Sequence, residues 1–176
     1  VLAGGKDSVI LDYSAIARLV PAYMRSIGRE NFLVVAVEDS ESKAGSAFCM
    51  EYRNFLRQLV GSRADRLLLV PEIEAVYSHF REHVDRNGLP EAIYFADDSL
   101  FDGCGRYFFE EHIAIPEDVA VVSHGNRRQY SNLPWDVPRI GFDRREVVEL
   151  THRLFLQRRD HPDLEPRVLR IAPQVL

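Results

Sequence analysis

Two carboxylates in succession, Asp97-Asp98, close the apolar run Ala92-Ile93-Tyr94-Phe95-Ala96. An ionised carboxylate only accepts hydrogen bonds, so at the mouth of a cleft Asp97 would hold a ligand hydroxyl. At the start of the following segment Asp98 would instead cap a helix, taking its free N–H groups. The turn Ser123-His124-Gly125-Asn126 adds Asn126, which both donates and accepts without bringing charge. Trp135 stands between two prolines on an irregular stretch, where an indole either stacks on a ligand ring or pins the loop.

These groups share an edge only if the chain between them folds as strand, helix, strand. Ala92 to Ala96 is uncharged and rich in β-formers, as in a strand buried on both faces of a parallel sheet. From Ser99 the period changes: Leu100, Cys104, Tyr107, Phe108 and Glu111 fall three or four apart, giving a helix that Ile113 and Pro116 end. Val119 to Val122 is a second buried strand. A right-handed crossover lays the two strands side by side, with Asp97, Asp98 and the Ser123–Asn126 turn at one sheet edge. Ligands of open α/β sheets bind at that edge.

The same alternation runs through the chain. Ser8 to Leu11 reads as a strand closed by Asp12, and Ser14 as the N-cap of a helix carrying Ile16, Leu19, Val20, Tyr23 and Ile27, with Pro21 inside it and Gly28 as its stop. Phe32–Val37 is a strand, a polar loop extends to about Ala44, and a helix follows over about 47–59. Leu67–Val70 is a strand and about 73–84 a helix ended by Asn87-Gly88. A last helix begins near Asp143, and Val168 to Ala172 alternates as a final strand. The fold class is α/β, a doubly wound parallel sheet.

Composition narrows the function. At 176 residues with 46% hydrophobic content the chain can bury one good core, and a net charge of −5 without a basic patch argues against a DNA-gripping face of its own. No apolar run reaches the length of a membrane span. Two cysteines, Cys49 and Cys104, in separate helical contexts suit a reducing, cytoplasmic compartment. His79-Phe80-Arg81-Glu82-His83 has the spacing of a zinc-peptidase helix, but a crossover helix turns both imidazoles to its wet face, and no third ligand is evident. No metal or cofactor is expected. Gly103-Cys104-Gly105 lies inside a helix and is too short for a dinucleotide fingerprint.

The order Ala92-Ile93-x-x-Ala96-Asp97-Asp98, then Ile115-Pro116-Glu117-Asp118-Val119-Ala120-Val121-Val122, then a turn, resembles the effector-binding part of the lactose-repressor/galactose-repressor (LacI/GalR) family of bacterial transcription regulators. Val9-Ile10-Leu11-Asp12 through Ile27-Gly28-Arg29, Phe32–Val37, and Pro138-Arg139-Ile140-Gly141-Phe142-Asp143 extend the likeness over nearly the whole chain. Arg29 stands where histidine is usual. The resemblance implies a type I periplasmic-binding-protein-like fold: residues 1–12 and 139–160 would be remnants of an N-terminal lobe, and 13–138 and 161–176 the C-terminal lobe. It implies a non-enzymatic effector sensor for a sugar or nucleobase-like molecule, forming a homodimer and reaching DNA through a helix-turn-helix headpiece outside this chain. It also nominates Arg53 as a ligand clamp, with Glu51 the alternative that the spacing to Phe55 favours, and Glu72 as a further contact; these join Asp97, Asn126 and, from its own loop, Trp135. Many members carry an acid where Gly125 or Asn126 stands here. Two alternatives remain open at this level. One is a solute-binding protein of the same fold. The other is an ATP pyrophosphatase-type enzyme, because Ala3-Gly4-Gly5-Lys6-Asp7-Ser8 resembles that superfamily's phosphate loop, with Ala3 in place of its first serine.

Overall fold

The computed structural model describes residues 6–38, 47–125 and 133–176. In chain order the elements are β1 (Ser8–Leu11), α1 (Tyr13–Ser26), β2 (Phe32–Val37), α2 (Ala47–Val60), β3 (Leu67–Val70), α3 (Val76–Asn87), β4 (Ala92–Phe95), α4 (Asp98–Glu110), β5 (Ala120–His124), β6 (Arg139–Gly141), α5 (Arg144–Asp160), β7 (Val168–Ile171) and β8 (Gln174–Val175).

Six strands form one sheet in the order β3-β2-β4-β5-β6-β8, and β1 pairs with β7 in a second. All pairings are parallel except β6 with β8. The central strands are apolar at consecutive positions because helices cover both faces. Val34, Ala36, Tyr94 and Val122 point to one side, where α1 brings Ile16, Val20 and Met24 and α2 brings Phe55, Leu56 and Leu59. Leu33, Val35, Ile93, Phe95 and Val121 point to the other, against Val76 and Phe80 of α3 and Leu100, Phe101, Cys104 and Phe108 of α4. Each such fully buried side chain contributes about 1.5–3 kcal/mol.

The small sheet belongs to the first of these cores, through Ile171 and, partly buried, Val9 and Leu11. The chain passes between the two sheets at Asp12, at Phe142-Asp143 and at Ala172-Pro173. The lobe boundary suggested by the sequence therefore falls differently in the pairing pattern. Arg139–Gly141, grouped there with the small lobe, pairs with β5, whereas Val168–Ile171, grouped with the large one, pairs with β1.

Local signals explain most element ends. Gly88 closes α3 at φ 81°, a conformation that a side chain would strain. α1 continues through Pro21 as one helix. Its N-cap is Asp12, whose carboxylate accepts from Ala15 N–H at 3.0 Å, and not Ser14. Ser8–Leu11 is a strand, where a phosphate loop of the pyrophosphatase type would be opening a helix, so that likeness fails here. Residues 1–5 of that loop and the polar loop after Glu38 lie outside the described residues.

Asp7 ties the small sheet to the end of α5. Its carboxylate accepts from Arg158 Nε at 2.7 Å and Nη2 at 3.1 Å, and from Arg167 N–H at 2.9 Å. Arg158 also donates to the carbonyls of Pro162 and Leu164 at 2.7 and 2.5 Å. The guanidinium and the amide together hold the Asp7 carboxyl down at about 2. A depressed acid stabilises the fold fully above its ordinary value near 3.8 and loses that contribution as pH falls through about 2. Asp7→Asn should therefore unfold at a lower temperature than the parent at pH 6. The gap should narrow in thermal melts taken from pH 4 down to pH 2.

Candidate functional site

The order β3-β2-β4 places a topological switch between β2 and β4. From β2 the chain leaves in one direction through α2, and returns to β4 on the other face through α3. In open α/β sheets the crevice outside the strands' carboxyl ends at such a point is the natural ligand site. Here Glu38 follows β2, Asp97 and Asp98 follow β4, and His124-Gly125 end β5.

The capping role falls to the first of the two aspartates, not the second. Asp97 is the N-cap, extended at φ −154° and ψ 141°, and its Oδ1 accepts from Ser99 N–H at 2.8 Å. The residue stays exposed while it caps α4. Asp98, read from sequence as the cap, is only 8% exposed. Its Oδ1 accepts from Ser123 Oγ at 2.6 Å and lies 3.7 Å from Arg139 Nε. Burial raises the Asp98 pKa, against the pull of Ser123 and Arg139.

The backbone makes room for this carboxylate. A Cβ on Gly125 would stand 2.7 and 2.8 Å from Oδ1 and Cγ of Asp98. A Cβ on Gly141, in β6, would overlap the Gly125 carbonyl, lying 2.8 Å from its carbon. Two glycines on adjacent strand ends thus let the first turn of α4 press a charged side chain against main chain.

Aromatic rings wall the site. Tyr13, the first residue of α1, has ring centroids 6.1 Å from His124, 5.6 Å from Phe142 and 5.9 Å from Phe55. Burial lowers the His124 pKa, while Asp97 and Asp98 oppose that shift. The Tyr94 hydroxyl is fully buried within electrostatic reach of Tyr13, Tyr52, Asp97 and Asp98. Among the described residues five buried side-chain atoms lack a hydrogen-bond partner: Arg66 Nε, Tyr94 Oη, Asp98 Oδ2, His124 Nδ1 and Arg139 Nε. All but the first belong to this edge. Buried polar groups are normally paired, each orphan costing about 1–3 kcal/mol, so four at one edge is a concentration that packing alone does not explain.

Of the other residues nominated from sequence, Arg53 shares a groove with Glu38, and Glu72 and Trp135 lie farther off. Arg53, on α2, lines a groove of about 480 Å³ with Glu38, Tyr52, Leu56, Arg57, Leu67 and Leu69, along the β3 edge of the sheet. Glu72 is exposed beyond β3, two strands from β4 and so roughly 10 Å along the sheet. Trp135 packs on Phe108 and Phe109 at 6.0 and 4.6 Å, near the end of α4 and roughly 16 Å along that helix from Asp98. The structure thus gives it to the core beneath the loop. Asn126 lies outside the described residues. His79 Nδ1 is within 3.0 Å of its own helix's Ala75 carbonyl and His83 Nδ1 within 3.4 Å of Asn87 Nδ2, and no group of three or more metal-type ligands occurs among the described residues. Tyr13, Tyr94 and Arg139, which stand at this edge, were not nominated from sequence, and of the Ser123–Asn126 turn only Asn126 was. The signal for them is glycine at successive strand ends, Gly125 and Gly141, which announces a close approach.

The sequence matches no protein-family profile and no curated protein. Its fold does have relatives among solved structures. A LacI family transcription regulator from Clostridium acetobutylicum superposes with a TM-score of 0.76 at 14% identity, over 100% of this chain and 66% of that one. A LacI family transcriptional regulator from Enterococcus faecium, solved with bound ribose, gives 0.73 at 19% identity, over 97% and 63%. The dimeric Lac repressor, carrying an 11-residue C-terminal deletion, gives 0.70 at 13% identity, over 98% and 64%. The chain therefore spans just under two thirds of the length of these proteins. No helix among the described residues is long and apolar enough to cross a membrane. From end to end, the chain has the α/β fold, similar to that of type I periplasmic binding proteins, on which LacI-family transcription regulators are built.

Proposed function

We propose that this chain is the effector-sensing part of a bacterial transcription regulator of the LacI kind, binding a small molecule in the crevice between Glu38, Asp97-Asp98 and His124. The observation that carries the proposal is the gathering of unpaired polar atoms at the sheet's switch point. The regulator fold along the whole chain and the ribose held by one structural neighbour support it. On this reading Asp97 accepts a ligand hydroxyl, with Asn126 a second contact, while Arg53, Glu72 and Trp135 are secondary candidates. The chain acts as a homodimer. DNA is gripped by a headpiece that this chain does not supply, in keeping with its net charge of −5.

Such a sensor works by differential affinity. A ligand favours one orientation of the two sheets only as far as it binds that orientation better, typically by ~1–3 kcal/mol. The regulators that share this fold favour a binding module over an enzyme.

A panel of sugars, polyols and purines should contain at least one compound that raises the melting temperature. A ligand at one hundred times its dissociation constant adds about 2.7 kcal/mol. Asp97→Ala should abolish that rise. Full retention of the shift in the variant would place the site elsewhere.

A further inference from the structure

Three helices begin around His124-Gly125. Tyr13 opens α1 beside His124 and Phe142, Asp98 opens α4 beside Ser123 and Gly125, and Phe142-Asp143 lead into α5. A helix start has unpaired N–H groups and a partial positive charge, and is a ready anion site. Here each start is filled from within. Asp12 accepts from Ala15 N–H at 3.0 Å, Asp97 from Ser99 N–H at 2.8 Å and Asp143 from Arg145 N–H at 2.9 Å. Glu38 adds a further acid after β2. Among the described residues, the guanidinium of Arg139 at this edge is engaged by Asp98 at 3.7 Å and Asp136 at 3.9 Å.

An incoming phosphate or carboxylate would meet these acids where the helix starts would otherwise have received it. The unsatisfied atoms point the same way. Asp98, nine-tenths buried, keeps Oδ2 without a partner, and the fully buried Tyr94 hydroxyl is likewise unpaired. A carboxylate oxygen is completed by a donor, most strongly by a charged one. Tyr13, partly exposed beside His124, is a ring of the type that attracts a cation.

Resting on the effector reading, we propose that the molecule bound in this crevice carries a protonated amine and neither phosphate nor carboxylate. Asp97 is its charged partner, and the aromatic wall receives the rest.

Matched probes test this by calorimetric titration of the protein: glucosamine, glucose and glucose 6-phosphate on one scaffold, and tyramine, tyrosol and 4-hydroxyphenylacetate on another. In at least one set the amine should bind about tenfold or more tightly than its neutral partner, as expected for a charge-assisted bond replacing a neutral one. The anion of that set should not bind. Asp97→Asn, which keeps the cap on α4, should bring the ratio of amine to neutral affinity within a set close to one. An anion or neutral compound binding as tightly as its amine overturns the proposal, as does failure of both amines to bind. If neutral sugars or purines bind and lose binding in Asp97→Ala, the effector reading survives and only the amine class falls. If nothing in the wider panel binds, both fall.

Discussion

Replacing Gly141 with alanine is expected to lower the melting temperature by roughly 6–12 °C, corresponding to about 3 kcal/mol for a chain of this size. The added methyl would lie 2.8 Å from the carbonyl carbon of Gly125 and inside contact distance of its oxygen. Both partners are main chain, fixed by the pairing of Ser123 with Arg139 and His124 with Ile140, so no rotamer change relieves the overlap. Relief requires β6 to move away from β5. That movement would also draw Arg139 from Asp98 and Phe142 from Tyr13. Thermal or urea unfolding of Gly141→Ala measures the effect, and a loss below about 1 kcal/mol would mean that the two strand ends yield more easily than their packing implies.

Asp98→Ala should cost a similar amount, about 3 kcal/mol, for a different reason. Removing one member of a buried ion pair leaves Arg139, whose side chain is only 15% exposed, with just the exposed Asp136 carboxylate at 3.9 Å. Ser123 Oγ also loses its acceptor at 2.6 Å. Asp98→Asn should be milder, because the amide oxygen still accepts from Ser123. Coupling to Gly125 gives a sharper reading. Gly125→Ala alone should destabilise, since its methyl meets the Asp98 carboxyl carbon at 2.8 Å. With Asp98 already cut back to alanine the methyl enters vacated space. The double variant should thus be more stable than the sum of the single losses predicts, by about 1–2 kcal/mol. Strict additivity in urea unfolding would show that the two residues do not compete for one volume.

Much of this was legible in advance. Buried parallel strands are uninterrupted apolar runs, and β2, β3, β4 and β5 stand out because Val, Leu, Ile, Ala and Phe fill them with no charge between. The helices follow from apolar residues three and four apart, and their carboxyl ends from Gly28 and Gly88. What escaped was set by partners distant in sequence. β8 is two residues long and exists because β6 offers it an antiparallel edge. Whether Asp97 or Asp98 caps α4 depends on which residue turns extended, and two adjacent aspartates give no compositional hint. Asp98 is buried because Gly125 and Gly141, 27 and 43 positions later, clear its path. The edge bearing the candidate site was readable from strand order, whereas the rings and hydroxyls that furnish it come from β4, α1 and the approach to α5.

The passages at Asp12, Phe142-Asp143 and Ala172-Pro173 carry a mechanical consequence. Bodies joined by a single thread tumble freely, whereas those joined by three neighbouring threads keep mainly a rocking motion about the line through them. Two of the three threads meet at Tyr13 and Phe142, whose rings lie 5.6 Å apart beside the proposed crevice. A guest lodged there would sit close to the pivot, where a small wedge produces a large swing at the far rim.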